Sequence, residues 1–464
     1  MKRVFILALA ALLAGALPVG AQADARITWP PPVYDVAGTV AVLGTVSSPD
    51  LQAYFLEVAR YDQENPQWIP ASLPATQPVT DGVLAEWITT LVPDGIYRLR
   101  LRAQLRTGAV LTDEVGPLRV ANALERPAGE APAPAPVLAP PPRLENTLPV
   151  PVGGQVVYFA DTTIAHMQSA GMTWVKWQVP FIIGETNLIN VARDRIAWSH
   201  NAGFNVLLSI TGEVDELRDL GEAYYPVFAE FLGQVAALGP DAIEVWNEMN
   251  IDREWPAGRI SARSYVAMLR QAHAAIKAAD PNVLVIAGAP APTGFFGGCS
   301  NAGCDDGDYY WNLANNGVTD YADCIGVHYN EGILPPSQRG GDPRDNYPTR
   351  YFPLMVNRAA APFRGTDIPL CFTEIGYLSP EGYGPLPPAF AWGSGTSVQE
   401  QAEWLRDAIR LAAEFTNTRI ALMIVFNLDF DRYDRDPQAG YAIIRPDGSC
   451  PACEAIGTLR QTRG

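Results

Sequence analysis

Two glutamates, Glu248 and Glu374, stand at positions from which their carboxyl groups could do chemistry. The apolar run 242–246 ends at Asn247 and Glu248, and the run 370–372 ends at Thr373 and Glu374. Buried parallel strands appear in a sequence as nearly continuous apolar runs, so each glutamate is predicted to end such a strand. Two carboxyl groups at one rim suit glycosidic bond cleavage, in which one donates a proton and the other acts as nucleophile or base.

From residue 152 onward, strand-like apolar runs alternate with helical patterns, which is typical of βα units and a parallel sheet. The predicted strands cover residues 156–159, 174–178, 206–210, 243–247, 283–287, 325–329, 370–374 and 421–427. Eight strands within residues 152–464 suit a TIM (β/α)8 barrel. An open doubly wound sheet would instead need a Gly-rich turn after its first strand, and the sequence has none there. We therefore expect an α/β fold of the TIM barrel class.

The strand ends Trp-Asn-Glu (246–248) and Thr-Glu-Ile-Gly (373–376) resemble the signatures of the clan A retaining glycoside hydrolases. Within that clan the chain looks most similar to the family 39, β-xylosidase-like group, over about residues 152–464. The resemblance implies a (β/α)8 barrel in which Glu248 ends strand 4 as acid/base and Glu374 ends strand 7 as nucleophile. It also implies cleavage of β-glycosidic bonds in oligo- or polysaccharides by a retaining mechanism that needs neither cofactor nor metal.

Catalysis in a TIM barrel takes place at the carboxyl ends of the strands, so the residues there are predicted to bind substrate. By the resemblance, Asn247 should hydrogen-bond the 2-hydroxyl of the sugar, and His328 or Tyr329 should orient Glu374. Polar and aromatic side chains suit a sugar, which offers hydroxyls at its edge and C–H faces for stacking. The predicted binding residues are Lys176, Trp177, Trp246, Asn247, His328, Tyr329, Trp392 and Asn427.

Glu248 must be protonated to act as an acid, and burial near an ionised Glu374 is expected to raise its pKa.

Two departures from the clan pattern bear on the identity of the sugar more than on the type of reaction. Strand 8 ends in Phe426-Asn427 where many relatives have a tryptophan, and Trp392 is the candidate for a replacement stacking surface. The usual arginine near the end of strand 2 has no clear counterpart, and Lys176 is the candidate substitute.

Residues 24–122 have a different sequence pattern. Short runs in which apolar and polar residues alternate, as in 96–102, lie between residues typical of turns. Alternation with arginines on the outer face predicts half-buried antiparallel strands. We expect a small all-β sandwich of the immunoglobulin or fibronectin type, with Tyr97 as a candidate tyrosine corner. A spacer or stabilising domain with core tryptophans is favoured over a carbohydrate-binding module that would use Trp68 or Trp87.

Residues 1–23 are predicted to be a signal peptide, with a charged start, an apolar stretch over 4–17 and a small-residue cleavage pattern that ends at Ala23. The apolar stretch is shorter than the roughly 20 residues that span a bilayer. A secreted or cell-surface protein is therefore expected, without membrane insertion. The Pro- and Ala-rich residues 123–151 are predicted to be an extended linker between the sandwich and the barrel, which would occupy 152–464.

The composition is that of an ordinary globular protein, with 48% hydrophobic and 18% charged residues in a chain of 464. The formal net charge of −17 argues against nucleic acid and anionic membranes as partners and fits a neutral substrate. A monomer is expected. Two acidic loops, 305–308 and 429–436, do not match the spacing of an EF-hand and are predicted to be solvated rather than to hold calcium.

The six cysteines suit an exported protein. Cys299 and Cys304 bracket a tight loop and are predicted to be bridged, and Cys450 with Cys453 is the candidate for a second disulfide. Cys324 and Cys371 begin adjacent predicted strands. They are either bridged or two small buried apolar side chains.

Two functions other than hydrolysis fit the same motifs. The first is a catalytically silent carbohydrate-binding or cell-surface protein that kept the barrel, and the presence of both Glu248 and Glu374 argues against it. The second is a transglycosylase, which uses the same residues with water excluded. The sequence does not separate a transglycosylase from a hydrolase.

Overall fold

The computed structural model describes residues 24–32, 34–61, 66–122, 142–185 and 187–460. They fall into two compact units, one within Met1–Ala135 and the other within Pro136–Gly464. The predicted signal peptide and residues 123–141 of the predicted linker lie outside the described residues. No helix in the described ranges is both long and apolar enough to cross a membrane.

The first unit consists of β-strands in two sheets. A three-stranded sheet has the order β1-β3-β6, and a five-stranded sheet has the order β2-β8-β7-β4-β5. In β7 the buried Leu99 and Leu101 alternate with Arg98 and Arg100, as predicted for strands with one face in the core. The strands are β1 (Asp24–Trp29), β2 (Tyr34–Val36), β3 (Thr39–Ser47), β4 (Leu51–Arg60), β5 (Ile69–Pro70), β6 (Val79–Ile88), β7 (Gly95–Leu105) and β8 (Val110–Val120).

Three aromatic side chains bear on the character of this unit. The Tyr97 hydroxyl donates a hydrogen bond to the carbonyl oxygen of Pro93 at 2.8 Å, which is the contact of a tyrosine corner. Trp87 is buried in the core, and the guanidinium of Arg100 lies 3.8 Å from the ring centre of Trp68. Carbohydrate binding through Trp87 is therefore wrong, because no ligand can reach that ring. The immunoglobulin or fibronectin type stays a prediction.

The second unit contains a closed parallel barrel of eight strands, which confirms the predicted barrel. Each strand pairs with the next in sequence, and β16 returns to β9 with Met423 opposite Val152. The strands are β9 (Val152–Gln155), β10 (Trp174–Phe181), β11 (Asn205–Gly212), β12 (Ala242–Val245), β13 (Leu284–Ala287), β14 (Cys324–Tyr329), β15 (Leu370–Ile375) and β16 (Ile420–Val425).

Helices follow the barrel strands and bury their apolar sides against them. The longest, α5, begins after Ser261, whose hydroxyl accepts a hydrogen bond from the Ser264 amide, and Ser397 with Glu400 forms a capping box at the start of α8. The helices are α1 (Asp161–Ala170), α2 (Leu188–Asn201), α3 (Val214–Leu220), α4 (Tyr224–Ala236), α5 (Ala262–Ala279), α6 (Asp306–Asn315), α7 (Phe352–Ala360), α8 (Val398–Ala412) and α9 (Pro451–Gly457).

The first barrel strand lies four residues earlier than predicted. Strand β9 contains Gly153 and Gly154, and a Cβ on Gly154 would lie 1.7 Å from the side chain of Leu428. The predicted run 156–159 instead leaves the barrel, and Phe159 adopts a φ of 51°. The prediction was wrong because it rested on apolar runs, whereas close packing in this barrel requires glycine in the first strand.

The predicted acidic loops bind backbone amides. The carboxylate of Asp429 accepts hydrogen bonds from the amides of Val157 and Phe159, and that of Asp305 accepts from the amides of Phe296 and Gly298. These aspartates therefore hold loop segments together.

The six cysteines form the disulfides Cys299–Cys304, Cys324–Cys371 and Cys450–Cys453, and the second of these links β14 to β15.

Gly326 in β14 provides a test of barrel packing. A Cβ at this position would lie 2.4 Å from the carbonyl oxygen of Ala287, a backbone atom that cannot move away cheaply. We expect Gly326→Ala to reduce the free energy of unfolding by about 1–3 kcal/mol, which thermal unfolding would detect as a lower Tm. Gly340→Ala is the matched control, because no atom lies within 4 Å of its added Cβ. Equal Tm values for the two variants would contradict the described packing.

Candidate active site

The two predicted catalytic glutamates lie at the carboxyl end of the barrel. Glu374 is near the end of β15, and Glu248 follows β12 in the loop. Both line an open cleft of about 830 Å³. Both side chains are largely buried, with about a tenth of each exposed. The cleft therefore brings together the two carboxylates that the sequence placed on separate strand ends.

His328 at the end of β14 contacts both glutamates. Its Nδ1 lies 3.1 Å from Oε1 of Glu248 and 3.7 Å from Oε2 of Glu374, and its side chain has no exposed surface. The two carboxylate oxygens are thus separated by no more than the sum of these distances. That bound includes the separation of about 5–5.5 Å typical of retaining glycosidases and barely reaches the range of about 6.5–9.5 Å typical of inverting ones.

Lys176 lies beneath Glu374, inside the barrel. Its Nζ is 3.3 Å from Oε1 of Glu374 and 3.2 Å from Oε2 of Glu244, and it donates a hydrogen bond to the carbonyl oxygen of Thr373. Asn330 donates from Nδ2 to Oε2 of Glu374 at 2.9 Å. Lys176 is buried, so the neighbouring carboxylates must balance most of its charge.

At the mouth of the barrel, Nη2 of Arg253 donates to Oε2 of Glu248 at 2.7 Å. Its side chain is 69% exposed, whereas those of Glu248, His328, Glu374, Lys176 and Glu244 are at most 12% exposed. Acidic and basic groups thus alternate from the interior to the mouth. This series, which we term the charge column, consists of Glu244, Lys176, Glu374, His328, Glu248 and Arg253.

The charge column changes the proton affinity of its members. Burial alone would raise the pKa of Glu248, but the hydrogen bond and charge of His328 and the charge of Arg253 outweigh it and lower that pKa. Burial would lower the pKa of His328, but the charges of Glu374 and Glu248 raise it. The expected raised pKa of Glu248 is therefore wrong for this arrangement, because the sequence did not reveal that His328 and Arg253 lie beside it.

The backbone around Glu248 adopts an uncommon conformation. Trp246 has a φ of 73° and Glu248 a φ of 44°, a region that residues other than glycine rarely occupy. The Trp246 amide donates to the carbonyl of Ile210, and the Glu248 amide donates to the carbonyl of Ala289. The neighbouring strands therefore hold this turn in place, as is common for strained residues at functional sites.

Four of the predicted binding residues pack away from both the cleft and the catalytic glutamates. Trp177 faces outward and donates to Ser199 on α2, and Trp246 packs under the turn and donates to the carbonyl of Glu254. Tyr329 donates to the carbonyl of Arg350, and Asn427 donates to the carbonyl of Gln438. The prediction that these four side chains contact substrate was wrong, because all four are buried in the packed interior, where they support the loops around the cleft.

Of the other predicted binding residues, Asn247 and Trp392 line the cleft, whereas Lys176 and His328 lie just beneath it. The residues missed by sequence reasoning include Gln155, Glu244, Arg253, Asn330, Phe390 and Tyr441. Gln155 was missed because the first strand was misplaced. Glu244 carried a usable signal, since an acid flanked by Ile243 and Val245 in a buried strand needs a partner.

No family model matches the chain, and no curated protein matches it. Solved structures with a similar fold include the GH53 catalytic domain of Ignisphaera aggregans, with 16% identity and a TM-score of 0.46 over 64% of this chain and 88% of that one. The endo-1,4-beta-mannanase of Rhizomucor miehei has 13% identity and a TM-score of 0.45 over 67% and 94%. The catalytic domain of Thermobifida fusca endoglucanase Cel5A has 16% identity and a TM-score of 0.42 over 68% and 91%. At this level these similarities carry no argument about the activity of this chain, and family 39 stays a prediction.

The histidines allow a test of the charge column by the pH dependence of unfolding. Because the pKa of His328 is raised, its stabilisation should be complete below about 6.5 and be lost as pH rises through the folded-state pKa. We expect the difference in free energy of unfolding between the wild type and His328→Asn to shrink as pH rises. Urea unfolding over a range of roughly pH 5–10 would measure it.

His273 provides the control of opposite sign. Burial and the charge of Lys277 lower its pKa, so its contribution should be present above about 6.5 and be lost as pH falls. The difference between the wild type and His273→Asn should therefore shrink toward acidic pH. A difference for His328→Asn that grows with rising pH would show that the charge column is not ionised as described.

Proposed function

We propose that the barrel unit is a retaining glycoside hydrolase that cleaves β-glycosidic bonds in oligo- or polysaccharides with two glutamates. The observation that carries this proposal is the placement of Glu248 and Glu374 against one histidine in an open cleft at the carboxyl end of the barrel. This is the end at which TIM barrels carry their catalytic residues.

In the proposed reaction, an oxygen of Glu374 attacks the anomeric carbon while Glu248 gives its proton to the leaving oxygen. The glycosidic bond breaks and an ester forms on Glu374. Water then attacks the same carbon and loses a proton to Glu248, and the ester bond breaks to restore the carboxylate. Lys176 and Asn330 orient Glu374 for this attack, since both donate toward its oxygens.

Glu248 gains its proton when substrate enters. In the free protein its pKa is lowered by His328 and Arg253 after burial is counted. Arg253 is the exposed member of the charge column, and a sugar bound against Glu248 takes its place. Removal of that charge and exclusion of water both raise the pKa of Glu248 toward the range of a useful acid.

The cleft offers the contacts that a sugar needs. Asn247 is buried, and its Oδ1 has no hydrogen-bond partner among the described residues, so it is available to a sugar hydroxyl. Aromatic rings for stacking are supplied by Phe390, Trp392 and Phe426. One face of Trp392 is covered by Arg344, whose guanidinium lies 4.7 Å from the ring centre.

We also propose that the protein is exported. The predicted signal peptide supports this, and so do the three disulfides, which persist in oxidising compartments.

A catalytically silent carbohydrate-binding barrel is the second candidate. The observation that favours it is the pairing of Glu248 with both His328 and Arg253, which holds the proposed acid as an anion. A silent protein would bind glycans in the same cleft and release no sugar.

The primary test is the release of sugar from β-linked polysaccharides and aryl β-glycosides. We expect Glu374→Ala and Glu248→Gln each to reduce kcat/KM by several orders of magnitude, because each removes one half of the carboxylate pair. Glu230→Gln on the exposed side of α4 is the control and should match the wild type. NMR of the first product should show the β-anomer.

Three other outcomes would change the assignment. Full activity in either cleft variant would refute the residue roles, and an α-anomer as first product would refute retention. Glycan binding without release would favour the silent barrel. Transfer to an added acceptor sugar in place of hydrolysis would indicate a transglycosylase.

The stacking role of Trp392 is tested by Trp392→Ala. Loss of a ring face worth about 1.4 kcal/mol should raise KM for an oligosaccharide roughly tenfold with a smaller effect on kcat. Trp311→Ala is the control, since Trp311 is exposed on α6 and does not line the cleft. An unchanged KM in Trp392→Ala would remove this residue from the binding site.

A further inference from the structure

Glu244 is an ionisable side chain that the proposed reaction does not yet use. It lies in the middle of β12, points into the barrel and has no exposed surface. Its Oε2 forms an ion pair with Nζ of Lys176 at 3.2 Å. A carboxylate in such a place is costly unless a cation compensates it, so its presence requires an explanation.

Lys176 faces two carboxylates that differ in their fate during the reaction. Under the proposed function, Glu374 is a carboxylate in the free enzyme and a neutral ester in the intermediate. Glu244 lies below Lys176, away from the cleft, and is not in reach of the sugar. The charge of Glu244 is therefore constant while that of Glu374 alternates.

A buried ammonium without a counter-charge is unstable, because burial favours its neutral form. If Glu374 were the only partner of Lys176, each ester would leave the ammonium unpaired in the barrel. The other polar groups nearby do not help: His328 supplies no negative charge, and the carboxylate of Glu248 pairs with His328 and Arg253. Asn330, which donates a hydrogen bond to Glu374, carries no charge.

We propose that Glu244 is a positioning residue that acts through Lys176: it keeps the ammonium charged and in place while Glu374 changes from carboxylate to ester and back. This inference rests on the proposed function. It deepens that function, because it adds to the two catalytic glutamates a third one, which never contacts the substrate. The directions of the pKa shifts agree, since the pKa of Lys176 is raised and that of Glu244 lowered despite burial.

The test compares the free enzyme with the trapped ester. The probe is the 2-deoxy-2-fluoro-β-glycosyl fluoride of the sugar that the wild type releases. An oxygen of Glu374 bonds to the anomeric carbon of the probe while the bond from that carbon to its fluorine breaks, and fluoride leaves with the bonding electrons. The fluorine at C2 stays on the sugar. Intact-protein mass spectrometry gives the rate of ester formation, and thermal unfolding gives Tm for both forms.

In Glu244→Gln we expect ester formation to be at least roughly tenfold slower, a barrier increase of about 1.4 kcal/mol. We also expect the trapped form of this variant to have a lower Tm than its free form, a change that the wild type should not show. The reason is that the ester leaves Lys176 without a charged partner. In the double variant Lys176→Met/Glu244→Met, which has no buried ammonium to lose its partner, trapping should not lower Tm. A merely structural role for Glu244 would lower Tm equally in the free and trapped forms.

Asp306→Asn is the matched control. Asp306 is buried at the start of helix α6, forms an ion pair with Arg358 of α7 and does not line the cleft. It should lower Tm by the same amount in both forms and leave the rate of ester formation unchanged. If Glu244→Gln does not fold, Glu244→Asp carries the comparison, because its retained charge should keep the effect of trapping on Tm as in the wild type.

Each outcome has one meaning. A trapped Glu244→Gln enzyme that forms ester at the wild-type rate, with the wild-type change in Tm, overturns this inference alone. A destabilised trapped form of Glu244→Asp equally overturns it. Failure of the wild type to form any ester on Glu374 overturns the proposed function and this inference with it.

Discussion

An ammonium group that water cannot reach must be matched by negative charge within a few ångströms, and Lys176 imposes this requirement on the centre of the barrel. Two carboxylates from different strands meet it, Glu244 from below and Glu374 from above. The same alternation continues through His328 to Glu248. The cleft is thus the outer end of an electrostatic arrangement that begins inside the barrel.

The backbone supplies the second constraint. Glu248 reaches His328 only because the chain turns sharply after β12 with positive φ at Trp246 and Glu248. Asn250 stabilises the loop beyond this turn: its amide nitrogen donates to the carbonyls of Ala291 and Cys304, and its oxygen accepts from the amide of Ala291. The loops after β12 and β13 therefore share one buried hydrogen-bond network, which keeps the strained turn from relaxing.

The barrel and its two glutamates could be predicted because apolar runs and strand ends are local features of a sequence. The first strand could not, since Gly153 is explained by contacts with Trp174 and Ile424 and Gly154 by the contact with Leu428, all of them outside the run itself. The prediction placed Trp177 and Trp246 in the cleft because sequence position does not tell on which side of a rim a ring will pack. The pKa of Glu248 was misjudged for a similar reason, as His328 and Arg253 reach it from separate segments.

Arg344 has a consequence for how the cleft could be remodelled. It forms an ion pair with Asp342, donates to the carbonyl of Glu331 and covers Trp392, which belongs to the loop after β15. The segment that follows β14 and the loop that carries Trp392 are thus coupled through one side chain. Natural or engineered exchange of either loop alone would leave an arginine or a tryptophan without its neighbour, so the two loops form a single exchangeable module.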